Sequence, residues 1–320
     1  MSAHAEVPVS GFASELRSKW PIVVVAYCMM LFAFGVPTFA LPFVYSGAIE
    51  EFGWTRQEAV LLSSIKFAIA AVASLVIGRL LDKYDPKYLV AVCASLGGIG
   101  LVCFYLIDSI WIYYAIGIIL GCNSAGMAVG MNTLVARSFE KSTGTMLGIV
   151  LAGTSTAGLI VPLLIVPLME TFGWRNAMAL MSLGIWIAAL PAWLFLLRDG
   201  SIVGREVRAS RHAARNSGLW DHFKLQARTR AFWFILIGIF LVSAVDQGLL
   251  QNQVLFLSNE KHLMLSQVAW ATSLLAAIGI GSKVLFGWGF DRWSIAGIAS
   301  CYALLGVSVG LAFTVISPAF

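Results

Sequence analysis

Long apolar runs separated by short polar segments dominate the chain and predict helices that cross a membrane. A helix rises 1.5 Å per residue, so about 20 apolar residues cross the hydrocarbon core of a bilayer. Nine segments meet this requirement and are numbered as spans one to nine: 21–45, 57–81, 88–107, 110–136, 143–169, 176–197, 231–257, 266–289 and 294–316. The connections are short except for residues 198–230, which divide the spans into six plus three.

Composition agrees with this pattern. Hydrophobic residues make up 59% of the 320 residues and charged residues 12%, about half the charged fraction of a soluble domain. These values exclude a cytosolic enzyme, a disulfide scaffold and a disordered chain. The sequence therefore predicts an all-α integral membrane protein embedded in the lipid bilayer.

The net charge of +5 could suggest a nucleic-acid partner, but the positions of the cations argue against one. Most of the 21 Lys and Arg residues lie in the N-terminus, the long 198–230 segment and other connections on the same side. Cytoplasmic loops carry such an excess of Lys and Arg. We therefore expect a multi-pass protein of the plasma (inner) membrane, with a cytoplasmic N-terminus and no nucleic-acid partner.

No motif of a nucleotide-driven pump, a hydrolase or a metalloenzyme occurs in the sequence. The five cysteines lie in apolar runs without a C-x-x-C spacing, and the four histidines lie outside the spans. We therefore expect no enzyme, no cofactor and no metal. Energy for any transport would come from an ion or substrate gradient.

Residues 78–87, GRLLDKYDPK, carry the first recognisable motif. They resemble the G-x-L-a-D-r-x-G-r-k loop between helices two and three of the major facilitator superfamily. Gly78, Leu80, Asp82 and Lys87 match, Lys83 keeps a positive charge, and Asp85 and Pro86 depart from the pattern. A degenerate copy, GWGFDRW at 287–293, follows span eight. The resemblance covers essentially the whole chain and implies two six-helix halves around a midplane site.

The paired motifs suggest a gate on the cytoplasmic side. Gly78 and Gly287 would allow close helix contact, since small residues let helices approach each other in membranes. Asp82 and Asp291 would accept hydrogen bonds from neighbouring helix N-termini, whose positive dipole ends favour an anion. Lys83 and Arg292 are the cations next to these acids. The alternative for either Asp is a solvated turn residue.

Two further segments, EFGWTR at 51–56 and TFGWRN at 171–176, resemble the monocarboxylate-porter and oxalate/formate-exchanger branch. Members of this branch often have a Lys in helix one after a Pro, whereas here Thr38 follows Pro37. A full member has twelve helices, so we expect this chain to be a piece of a longer porter. Its predicted parts are a six-helix half (1–197), a basic cytoplasmic linker (198–230) and three helices of a truncated second half (231–320).

Three ionisable residues lie deep in predicted spans, where a charge costs roughly 2.5–3.5 kcal/mol and indicates a functional site. Lys66, near the midplane, would hold a substrate carboxylate in place of the helix-one Lys; the alternative is a structural Lys paired with an acid. Lys283 lies where the porters often have a carboxylate-binding Arg, although it is close enough to the cytoplasmic end to reach water. Asp246 would carry a proton, unless it only balances one of the lysines.

Polar residues in the same spans complete the candidate site. Asn123 in span four and Gln251 in span seven are substrate-binding candidates, and Thr154 and Ser155 are weaker ones. The sequence thus predicts a secondary active transporter that moves a small, monocarboxylate-like organic anion with a proton by alternating access. The alternatives are an anion exchanger, a porter of another small solute, or a truncated relic or sensor that does not transport.

Overall fold

The structure, a computed structural model, describes residues 9–84, 86–139, 142–196 and 227–293, which are almost entirely helical. No strand occurs in these ranges. The helices are α1 (Val9–Cys28), α2 (Val36–Phe52), α3 (Arg56–Lys83), α4 (Pro86–Val102), α5 (Ile110–Ser138), α6 (Thr143–Met181), α7 (Leu190–Leu196), α8 (Arg230–Leu255) and α9 (Leu265–Trp293). Stretches of π-helix at Met29–Gly35, Gly184–Ala189 and Phe256–Glu260, and a 3₁₀ turn at Cys103–Leu106, continue them.

Seven described segments are long and apolar enough to cross a membrane. The fifth, Thr143–Phe195, is 53 residues long and contains the predicted spans five and six. Its helix breaks at Gly173, where φ is 80°, a backbone conformation that glycine adopts without strain. The chain is thus an all-α multi-pass membrane protein. Span nine lies outside the described residues, so the count of nine spans stays a prediction.

The first span is longer than the predicted 21–45 and runs over Lys19–Phe52. It ends at Gly53, where φ is 67° and the N–H donates to the Ile49 carbonyl at 2.9 Å. Helix α3 then begins with a capping box, in which Thr55 and Glu58 each accept a hydrogen bond from the other's backbone N–H. Residues 53–55 therefore form a tight turn between two membrane helices.

The two F-G-W segments contact each other. Glu51 accepts hydrogen bonds from Trp174 Nε1 at 2.8 Å and from an Arg175 guanidinium nitrogen at 2.7 Å. The Arg175 guanidinium also lies 5.3 Å from the centre of the Phe52 ring. These contacts join the α2–α3 turn to the helix break at Gly173.

Glycines set the closest helix contacts in the bundle. Helix α5 packs on α3 through Gly117 and Gly121, where an added Cβ would lie 3.0 Å from the Leu62 carbonyl oxygen and 2.7 Å from that of Lys66. Helix α6 packs on α9 through Gly144, Gly148 and Gly158. The four cysteines in the described ranges are free thiols, while Cys301 lies outside them.

We name the two ends of the bundle by their residues. The Arg56 end contains the turns at 53–55, 107–109 and 261–264, and the Asp291 end contains the start of α6 and the end of α9. The helices before residue 197 form the N-half, and α8 and α9 are the described part of the C-half.

Candidate functional site

Lys66 is completely buried in the middle of α3. It lies ten residues from Arg56, which places it about 15 Å along the helix from that end. Its ammonium donates to Thr38 Oγ1 at 3.0 Å and lies 5.0 Å from the centre of the Phe67 ring. Among the described residues no carboxylate pairs with it. The alternative that the sequence left open, a structural Lys66 paired with an acid, is therefore not found in the described part of the chain.

The hydroxyl of Thr38 is oriented to accept from this ammonium. Its proton is donated to the Phe34 carbonyl at 2.8 Å, so an oxygen lone pair remains for Lys66. An ammonium has three donors, and a single neutral oxygen leaves most of its hydrogen-bonding capacity unused. Burying such a charge is costly unless an anion compensates it.

Three further polar side chains lie in the same layer of the bundle. The hydroxyls of Tyr45 and Ser63 each donate to Gln251 Oε1 at 2.8 Å and also contact each other. Gln251 Nε2 donates to the backbone carbonyl of Thr38 at 3.5 Å. We call Thr38, Tyr45, Ser63, Lys66 and Gln251 the Lys66 cluster. All five are buried.

The Lys66 cluster joins the two halves, because Gln251 belongs to α8 and the other four residues to α2 and α3. Ser63 and Lys66 are three residues apart and share one face of α3. The carbonyls of Leu62 and Lys66 pack on Gly117 and Gly121 of α5. This glycine pair holds the backbone of α3 next to Lys66.

Lys283 contacts the N-half from α9. Its ammonium donates to Thr154 Oγ1 and, at 3.3 Å, to the Leu151 carbonyl oxygen of α6. Asp246 of α8 is close enough to interact with it electrostatically. The side chain is therefore directed into the interface with α6, whereas the sequence left open that it reaches out to water.

Asp246 is exposed on α8 in the described part of the chain and accepts a hydrogen bond from Gln247 at 3.0 Å. Asn123 of α5 is buried elsewhere, against α4 and the π-helical stretch Met29–Gly35. Its Nδ2 donates to the Ala33 carbonyl at 2.8 Å, and its Oδ1 has no partner. Asn123 makes no hydrogen bond to the Lys66 cluster.

Asp291 lies against the N-terminus of α6. Its carboxylate accepts hydrogen bonds from the backbone N–H groups of Gly144 and Thr145, both at 2.7 Å, and from Thr145 Oγ1 at 2.6 Å. Beside it, a Cβ on Gly287 would overlap the Gly144 carbonyl oxygen. A cation, Arg292, lies 5.6 Å from the centre of the Trp288 ring. The C-half motif thus joins its helix to the N-half.

The N-half copy of the motif differs. No heavy atom lies within 4 Å of a Cβ built on Gly78, so the close helix contact expected there is wrong for the described part of the chain. The physical reason is that Gly78 lies on a face of α3 that the other described helices leave open, whereas Ile77 and Leu81 on the same turn are buried. Lys83 is exposed and lies 5.5 Å from the centre of the Tyr84 ring. The side chain of Asp82 lies outside the described residues.

A cavity opens between α3 and α8 at the Arg56 end. It is lined by Arg56, Gln57, Val60, Leu61, Ser64 and Asn252. Arg56 is bonded there to Glu260 of the C-half at 3.0 Å. The sequence pointed to Arg56 only as part of the F-G-W motif, because the partner lies 204 residues away.

Comparison with known proteins identifies a family. A sequence profile of the Major Facilitator Superfamily matches residues 23–320. Human monocarboxylate transporter 11 is 23% identical over 56% of this chain and 38% of its own length. The multidrug resistance protein MdtG of Dickeya zeae is 28% identical over 53% of this chain and 44% of its own length.

A solved structure shows the same fold. The inward-facing bacterial homologue of the human lysosomal transporter Spinster superposes with a TM-score of 0.63, at 16% identity. The alignment covers 88% of this chain and 63% of that protein. The chain therefore spans between about two fifths and two thirds of these three proteins.

Proposed function

Since the chain belongs to the Major Facilitator Superfamily, we propose that it forms part of a secondary active transporter that moves a small organic anion with a proton. The observation that carries this proposal is the buried ammonium of Lys66, which has no acidic partner in the described ranges. Its free donors suit a carboxylate, and the hydroxyl and amide groups of Tyr45, Ser63 and Gln251 suit the polar atoms of a small acid.

The position of Thr38 strengthens the proposal. The monocarboxylate porters that the sequence resembles often have a Lys where this chain has Thr38. Here the ammonium of Lys66 lies beside the Thr38 hydroxyl. The same positive charge can thus be supplied to nearly the same place from the neighbouring helix. A relative that is named a monocarboxylate transporter agrees with this substrate class.

Lys283 and Asp246 form the second part of the proposed site. Lys283 lies nine residues from Arg292, about 14 Å along α9 from the Asp291 end, whereas Lys66 lies about 15 Å from the Arg56 end, so the two lysines are similarly deep but from opposite ends. It would take up the substrate carboxylate from the other side of the alternating-access cycle. Asp246 would carry the proton, since its carboxylate interacts with Lys283 and protonation would weaken that attraction.

Asp291, Gly287 and the start of α6 would form the cytoplasmic gate, with Asp82, Lys83, Gly78 and Arg292 belonging to the same paired motif. The excess of Lys and Arg in the N-terminus and the linker supports a plasma (inner) membrane location with a cytoplasmic N-terminus. The Arg56 end then faces outward. The halves are 1–197 and the region after the linker 198–230.

The test is uptake of labelled lactate and pyruvate by the full-length protein in proteoliposomes with an imposed pH gradient. Lys66→Gln should reduce uptake at least tenfold, whereas Lys261→Gln, an exposed lysine at the Arg56 end, should leave it unchanged. The exchange Thr38→Lys with Lys66→Thr should restore part of the uptake. Full uptake by Lys66→Gln would contradict the proposed site.

Asp246→Asn separates coupling from binding. This variant should lose uptake driven by the pH gradient and keep exchange of external labelled lactate for internal lactate. Loss of both activities would assign Asp246 to the substrate site instead.

A porter of a different solute is the second candidate. Asp246 is exposed on α8, and one relative is named a multidrug resistance protein. A cationic or neutral solute would then bind at Asp246. In that case Lys66→Gln would leave uptake of the true solute intact, and Asp246→Asn would abolish it.

A further inference from the structure

The cavity at the Arg56 end has the chemistry of a binding site. One wall carries a guanidinium, Gln57, Ser64 and Asn252 supply polar groups, and Val60 and Leu61 supply a small apolar surface. A cation, a few hydrogen-bonding groups and a short apolar wall match a small organic carboxylate. The cavity is separate from the Lys66 cluster, with which it shares no lining residue.

Arg56 can exchange its partner Glu260 for another carboxylate. A single guanidinium nitrogen contacts a single oxygen of Glu260, and the two side chains are 39% and 53% exposed. Such exposed ion pairs contribute little to stability. A guanidinium has five N–H donors, and two of them can bind the two oxygens of one carboxylate. A free carboxylate can therefore replace that of Glu260 without leaving a buried charge unpaired.

The cavity and the Lys66 cluster lie on different faces of the same two helices. Arg56, Gln57 and Ser64 are on α3, and Ser64 lies between the cluster members Ser63 and Lys66 in sequence. Asn252 of α8 follows Gln251 directly. Both helices that wall the cavity thus also carry members of the Lys66 cluster.

We propose that this cavity is a vestibule site, in which an incoming small carboxylate binds Arg56 in place of Glu260 before it reaches Lys66. The inference rests on the proposed function, because it names the approach site of the same substrate. Replacement of Glu260 would also release the contact that joins α3 to the end of α8. Substrate binding and opening of the Arg56 end would thereby be coupled.

A cysteine probe tests the vestibule site without transport. Leu61, which is 43% exposed, is replaced by Cys in a full-length protein whose native cysteines are changed to Ala. The reaction rates of this thiol with an anionic and a cationic methanethiosulfonate of similar size are then compared. Ser109→Cys, in the loop between α4 and α5 at the same end, is the matched control.

The anionic reagent should react faster at position 61, and Arg56→Gln should reduce this preference by about fivefold, as expected for one exposed charge. Glu260→Gln should increase it, because Arg56 is then unpaired. Ser109→Cys should respond to neither substitution. Lactate should protect Leu61→Cys from labelling, even when Lys66→Gln has removed transport.

Two results would overturn the vestibule site. One is an anionic preference that Arg56→Gln leaves unchanged. The other is a lack of protection by lactate, pyruvate and benzoate. Failure of the proposed function is read separately, as an absence of carboxylate uptake by the unsubstituted protein in proteoliposomes.

Discussion

The two halves of the bundle are joined differently at the Arg56 end and at the Asp291 end. At the Arg56 end the contacts run through side chains, namely the Arg56–Glu260 ion pair and the hydrogen bonds of Gln251 to Tyr45 and Ser63. At the Asp291 end, the backbones of α6 and α9 touch at Gly144 and Gly287. Side chains can rotate away one at a time, whereas two backbones in contact must separate together.

This difference bears on the alternating access that we propose. An interface of exchangeable side-chain contacts can open by small steps as a solute binds. An interface of glycine backbones and a capped helix N-terminus is either formed or broken, because interiors packed this closely do not deform continuously. We expect substitutions at the Asp291 end to have larger effects on closure than substitutions at the Arg56 end.

Gly287→Ala should have the largest effect. The added methyl group would overlap the Gly144 carbonyl, and relief of that overlap should cost about 1–3 kcal/mol. The melting temperature in detergent should fall. The distance between spin labels at Val76 and Leu285, measured by double electron–electron resonance, should increase.

Gly78→Ala is the matched control, because Gly78 holds the equivalent motif position and has open space where the added Cβ would lie. Alanine also has a higher helix propensity than glycine. The melting temperature should therefore not fall, and the Val76–Leu285 distance should not increase. An equal fall in melting temperature in Gly78→Ala and Gly287→Ala would show that the two glycines do not act through close helix contact.

Asp291→Ala should have the next largest effect. The carboxylate accepts three hydrogen bonds at the positive end of α6, and its loss should cost about 1–2 kcal/mol. Asp291→Asn should lose less, because an amide oxygen still accepts. The Val76–Leu285 label distance measures the effect, and Asp108→Asn in an exposed loop is the control. A wild-type distance in Asp291→Ala would remove this residue from the gate.

The sequence predicted the Asp291 end better than the Arg56 end. A motif that repeats in both halves led to Gly287 and Asp291, since its residues are adjacent in the chain. Its first copy at Gly78 was misjudged, because a motif does not reveal which helix lies opposite. The partners of Ser63 and Arg56, by contrast, are Gln251 and Glu260, which lie 188 and 204 residues away, and no local pattern connects them.

The depth of Lys66 followed from its position in an apolar run, but its surroundings did not. Thr38 was notable only as a departure from the family pattern, and its role as the acceptor for Lys66 required the packing of α2 on α3. The glycines of α5 fix the position of α3 in turn, since they bring α5 against the carbonyls of Leu62 and Lys66.

Gln251→Leu should weaken closure at the Arg56 end by about 1 kcal/mol, because Tyr45 and Ser63 lose their shared acceptor. The distance between spin labels at Ser109 and Leu263 should broaden toward longer values. Gln253→Leu on the same helix is the control, since its side chain makes no hydrogen bond to the N-half in the described ranges. An effect of Gln251→Leu as large as that of Gly287→Ala would contradict the contrast between the two ends.

Glu260→Gln should have the smallest effect on closure of the Arg56 end, below about 1 kcal/mol, because the ion pair with Arg56 is exposed.

The salt dependence of the label distances is the sharper measurement. Between about 0.01 and 1 M ionic strength the Debye length falls from about 30 to 3 Å, so the Ser109–Leu263 distance of the unsubstituted protein should lengthen with salt. In Glu260→Gln it should already be long and should not respond. The Val76–Leu285 distance should ignore salt in both proteins, since backbone contact and hydrogen bonds to a helix N-terminus hold that end. A salt response at the Asp291 end as large as that at the Arg56 end would mean that charge holds both interfaces, and the distinction between a stepwise and an all-or-none gate would fall with it.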